Sequence, residues 1–103
     1  MRKTIKGNSV NRYRRGVYYE RKALHELKSE GAMVVRSARS GGYFDIWAVT
    51  KNHLKLIQVK STMTDSDFVN IRKELKKIRV PNFCRVELWI WRNRWGWEKI
   101  VIK

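Results

Sequence analysis

Apolar residues recur at helical spacing in only two stretches of this chain, and the other apolar runs are short and rich in β-branched residues. That switch of period limits the fold more than any other feature. Val17, Leu24 and Leu27, with Ala23 beside them, give an amphipathic helix over residues 17–30 that Gly31 closes. Strands follow at 33–36, at 44–49 after a turn through Ser40, Gly41 and Gly42, and at 54–60 after a turn at Lys51 and Asn52. Residues 61–67 form a polar loop with several possible N-caps. Beyond it, Phe68, Ile71, Leu75 and Ile78 share one helical face, Arg72, Lys73, Lys76, Lys77 and Arg79 fill the other, and Pro81 ends the run. Two last strands, 85–91 and 97–102, make a hairpin around Asn93 and Gly96. Helix, three strands, helix, two strands is an α/β order in which helices cover a central mixed sheet.

A chain of 103 residues, 43% hydrophobic and 12% aromatic, fits one domain with a modest core, expected over residues 16–103. Residues 1–15 contain no acid and too few apolar side chains to pack, and read as a flexible basic N-terminal arm whose Arg14 and Arg15 reach phosphates. A solvated tail without a role is the alternative. Lys and Arg number 24 against 9 Asp and Glu, and a net charge of +15 repels itself unless a polyanion is the usual partner. Nucleic acid fits. A membrane partner does not, because no segment has a long apolar span, a long amphipathic helix or the apolar core of a signal peptide. Cys84 is the only cysteine, which excludes disulfide frameworks and thiolate-rich zinc sites and makes a reducing cytoplasm the expected setting. His25 and His53 lack the spacing of a metal motif, so metal chemistry would fall to carboxylates.

Glu20 lies three residues after Val17, four before Leu24 and seven before Leu27, on the apolar stripe of the first helix. A carboxylate there needs a base such as Arg21, another cation, or a metal. Asp45 begins a strand after the Gly-rich turn, and Gln58 and Lys60, two residues apart, share one face of the next. If those strands are neighbours, Asp45 meets Gln58 and Lys60 at one end while Glu20 approaches from the helix. Two carboxylates and an amide oxygen suit Mg²⁺, which takes few protein ligands and keeps several waters. Hydrolysis of a phosphodiester needs an activated water and a stabilised leaving oxygen, and an adjacent ammonium adds charge stabilisation.

Gly16-Val17-Tyr18-Tyr19-Glu20-Arg21, then Val34-Val35-Arg36-Ser37-Ala38-Arg39-Ser40, then Asp45-Ile46 and Ile57-Gln58-Val59-Lys60 resemble the archaeal and viral Holliday junction resolvases of the PD-(D/E)xK nuclease superfamily. The resemblance spans roughly residues 15–61. It implies a restriction-endonuclease-like core with a five-stranded mixed sheet, metal ligands at Glu20, Asp45 and Gln58, and a catalytic lysine at Lys60. It further implies an auxiliary catalytic role for Ser40, an auxiliary DNA-contacting role for Arg36, and phosphate contacts from Arg21 and Arg39. Such enzymes are homodimers that use Mg²⁺, for which Mn²⁺ can substitute, and cut four-way DNA junctions by shape. The chain departs from the pattern at Gln58, where the family usually has Glu, and loses one formal charge there.

Two alternatives stand beside a junction endonuclease. One is a non-catalytic basic DNA-binding protein, favoured by the charge and the missing third carboxylate. The other is a nuclease of the same superfamily acting on flaps, ends or duplex DNA. The tryptophans 47, 89, 91, 95 and 97 either stack on bases or fill a core or subunit interface. Trp89 and Trp91 share a strand face opposite Leu88 and Ile90, and this two-sided apolar run suggests that one face packs inside and the other meets a partner.

Overall fold

Seven elements follow the expected order: α1 (Arg2–Ser29), β1 (Met33–Arg36), β2 (Ile46–Val49), β3 (Leu54–Lys60), α2 (Asp65–Lys77), β4 (Cys84–Arg92) and β5 (Gly96–Val101). The computed structural model describes residues 2–37 and 43–103, with side chains from residue 16 onward. The five strands form one sheet in the order β1-β2-β3-β4-β5. All neighbours are antiparallel except β3 and β4, which run parallel because α2 carries the chain back between them.

One helix packs on each face of the sheet, α1 across β1 to β4 and α2 over β4. Ala23 and Leu27 of α1 are fully buried against Ile46, Ala48, Ile57, Val59 and Trp89. Leu75 of α2 is fully buried against Val86, Leu88 and Ile90, with Phe44, Phe68, Ile71 and Ile78 around it. β4 therefore packs on both sides, which is why its apolar run does not alternate. Neither face is left for a partner, which corrects the expectation that one of the two would meet one: Trp89 is fully buried beneath α1, its indole N–H donating to Glu87 Oε1 at 2.8 Å. Trp91 lies against Tyr19 and Trp97, with the Lys22 ammonium 4.4 Å from its ring centroid.

α1 begins at Arg2 rather than Val17. Periodicity marks only the part of a helix that meets the sheet, whereas Arg- and Lys-rich sequence continues a helix that packing has already nucleated. At the other end, Ala32 N–H bonds back to Leu27 carbonyl at 3.0 Å and Gly31 takes φ 89°, the left-handed cap that glycine adopts without penalty. α2 opens on a capping box, Thr64 Oγ1 accepting from Asp67 N–H at 3.1 Å while Asp67 Oδ2 accepts from Thr64 N–H at 3.4 Å. Among the described residues no helix is long and apolar enough to cross a membrane.

Candidate active site

Three elements converge at one end of the sheet. β2 and β3 are antiparallel neighbours with Ile46 opposite Ile57, so Asp45, just before β2, lies beside Gln58. Its backbone is pinned on both sides: Asp45 N–H donates to Ile57 carbonyl and Ser37 N–H donates to Asp45 carbonyl, each at 2.9 Å. Its side chain is fixed too, Oδ2 accepting from Val59 N–H at 2.8 Å. The carboxylate thus takes the ladder bond that β2 would have supplied and orients itself in doing so.

Glu20 approaches from α1, one turn before the buried Ala23 and two before Leu27. Arg36, the last residue of β1, donates from Nε to Glu20 Oε1 at 2.7 Å. The base that a carboxylate on this stripe requires is therefore Arg36 rather than the adjacent Arg21, which is exposed on α1 and does not line the cleft. Glu20, Asp45, Gln58 and Lys60 line a single cleft of about 320 Å³, together with Gly16, Tyr19, Val59, Ser61 and Thr62.

Electrostatics tie the group together. Burial raises the Asp45 carboxyl above its ordinary 3.8; the Val59 N–H bond works against that, the charge of Glu20 adds to it, and Lys60 and Arg36 oppose it. A carboxylate whose charged form is disfavoured by burial and by a second carboxylate close by is one that a cation between them would relieve. The donor set fits a hard divalent ion: two carboxylates and an amide oxygen, all oxygen ligands, with room in the cleft for water. No cluster of three or more His, Cys, Asp or Glu with metal-binding potential occurs among the described residues, in keeping with Gln58 standing third.

Of the other expected contacts, Ser40 and Arg39 lie outside the described residues, as do the side chains of Arg14 and Arg15. Gly16, Tyr19, Ser61 and Thr62 were not foreseen as cleft residues, although each lies within four residues of Glu20 or Lys60. Nor was Val59 N–H foreseen as the group that orients Asp45, and no side-chain pattern can signal a backbone donor.

The chain matches the family described as archaeal Holliday junction resolvase (Hjc) over residues 11–86, from within the basic N-terminal stretch into β4. No curated protein matches it. Among solved structures it is similar to that of Archaeoglobus fulgidus Hjc, a Holliday junction resolvase from an archaeal hyperthermophile. The TM-score is 0.58 at 19% identity, over 85% of this chain and 73% of that one. At this identity the likeness establishes a shared fold, the restriction-endonuclease-like core expected from the sequence.

Proposed function

Because the chain belongs to the archaeal Holliday junction resolvase (Hjc) family, we propose that it is a structure-selective endonuclease that resolves four-way DNA junctions by metal-dependent phosphodiester hydrolysis. The observation that carries this reading is the convergence of Glu20, Asp45, Gln58 and Lys60 on one cleft. Glu20, Asp45 and Gln58 would hold Mg²⁺, or Mn²⁺ in its place, and the ion would supply an activated water and charge stabilisation at the leaving oxygen. The chain's own groups do the rest. Val59 N–H leaves Asp45 one oxygen for ligation and removes its freedom to turn away. Arg36 holds Glu20 on the cleft side of α1. The Lys60 ammonium balances the charge that builds on the phosphate oxygens as water adds to phosphorus and one ester P–O bond breaks, giving a phosphate monoester and a hydroxyl. Ser40 assists, and Arg14, Arg15, Arg21, Arg36 and Arg39 contact backbone phosphates; residues 1–15 act as the basic arm of a nuclease domain over 16–103. The protein works in the cytoplasm, a host's if it is viral.

Two copies act together. Met33 pairs with Val49 and Val35 with Trp47 across β1 and β2, so four large apolar side chains line one face at the sheet edge, away from α1. Met33 is 72% and Val35 61% exposed, which is costly for a monomer in water. A second copy presents the same patch and covers it symmetrically.

Labelled four-way junction incubated in Mg²⁺ with excess linear duplex of equal length tests the substrate. Incision of the junction is expected to persist. Cutting of flaps or ends in preference would reassign the substrate, and tight, salt-sensitive binding with no cutting would leave a non-catalytic DNA-binding protein.

A further inference from the structure

β4 ends at Arg92 and β5 begins at Gly96, leaving Asn93, Arg94 and Trp95 as the tip of the hairpin. The tip is tightly turned, Trp95 N–H donating to Arg92 carbonyl at 3.0 Å, and Arg94 sits at φ 78°, in the left-handed region. Glycine or asparagine would adopt that conformation at lower cost, so turn chemistry does not explain an arginine there. Nor does packing explain the tryptophan. Trp97 contacts both Trp89 and Trp91 beneath α1, whereas Trp95 is 86% exposed, the highest among the exposed large hydrophobic residues described.

The position of this indole points to its use. Trp95, Arg92 and Asn93 line one side of a cleft whose other side includes Ser61 and Thr62, and those same two residues line the cleft of Glu20, Asp45 and Lys60. A backbone lying across Lys60 would therefore run on toward the hairpin tip. Arg92 is engaged by Glu98 at 2.9 Å, while Arg94 makes no salt bridge among the described residues. An open aromatic face beside an unpaired guanidinium, on a chain of charge +15, matches a nucleobase and its phosphate. Intact duplex offers no free base face; a branch point does, because stacking is interrupted where strands exchange.

We propose that Trp95 stacks on a base exposed at the branch point while Arg94 contacts an adjacent phosphate, so that the hairpin tip recognises the discontinuity next to the scissile bond. The assignment rests on the reading of the chain as acting on branched DNA. A four-way junction carrying 2-aminopurine at the branch reports it, since stacking on an indole changes the probe's emission. In EDTA, wild-type protein is expected to change that emission, W95F to keep most of the change, and W95A to lose it while binding the junction about tenfold more weakly and linear duplex nearly unchanged. W95A matching wild type in both signal and affinity would overturn the proposal. So would equal weakening on junction and duplex, which would make Trp95 a general DNA contact. The readout needs no cutting, so it decides the role of Trp95 independently of activity. Wild-type incision of the same junction in Mg²⁺, run in parallel, shows whether the nuclease reading fails separately.

Discussion

At Asp45, orientation and stability pull in opposite directions. Burial, reinforced by Glu20, holds its carboxyl above the 3.8 of an unfolded chain despite the Val59, Lys60 and Arg36 contacts. Below 3.8 the group is protonated in both states and imposes no penalty; as pH rises through the elevated folded value, the unfolded chain sheds its proton first and the fold loses stability. Asp45→Asn keeps an oxygen for Val59 N–H, so it is expected to raise the melting temperature of metal-free protein by a few degrees near pH 7, with the gain vanishing below pH 3.8. Gln58 carries the opposite consequence, because an amide oxygen ligates without charge. Gln58→Glu is expected to keep junction cutting and to lower the Mg²⁺ needed for half-maximal rate by roughly tenfold in a metal titration. Loss of all cutting would argue against a ligand at this position. Glu20 was conspicuous in the sequence because it interrupts an apolar stripe. Its partner was not, since Arg36 is distant in sequence and meets it only once β1 packs beside α1.

Among the elements, the strands were the most legible: β1 and β3 have the bounds their β-branched runs suggest, and the β4–β5 hairpin differs by one residue at every strand end. β2 starts at Ile46 rather than residue 44 because Phe44 is drawn into the core under α2 and Asp45 turns its side chain to Val59 N–H. α2 offered several N-caps; Thr64 is selected because Asp67, three residues on, returns the bond. The depth of burial along α2 follows the sequence stripe but concentrates on one residue. Leu75→Ala is expected to cost about 2–4 kcal/mol in a urea melt, since Leu75 is the fully buried residue that α2 places against Val86, Leu88 and Ile90. A loss under about 1 kcal/mol would mean that α2 is not needed to seal that face. The expectation that one face of β4 meets a partner failed because a two-sided apolar strand fits a central position between two helices as well as an interface.

For the molecule as a whole, charge and the sheet edge dominate. A charge of +15 favours any nucleic-acid backbone, so on the proposed reading selectivity would come from shape, from paired sites held at a fixed spacing, and from the chemistry of the cleft. The β1–β2 patch supplies the pairing in this reading. Val35→Asp, at a position already 61% exposed, is expected to leave the fold intact and to halve the mass seen by sedimentation at micromolar concentration. A wild-type chain that sediments as a monomer would remove the dimer. The patch was invisible in the sequence because Met33, Val35, Trp47 and Val49 look like core residues until the register sets them on the uncovered face. The most direct test is the rate at which labelled four-way junction is incised in Mg²⁺ by wild-type protein and by Asp45→Asn, with junction binding measured for both. Wild type is expected to nick opposed strands at the branch and the variant to be slower by about a hundredfold or more with binding retained. Equal rates for the two, or no incision by a wild-type protein that binds the junction, would contradict a catalytic centre at Glu20, Asp45, Gln58 and Lys60.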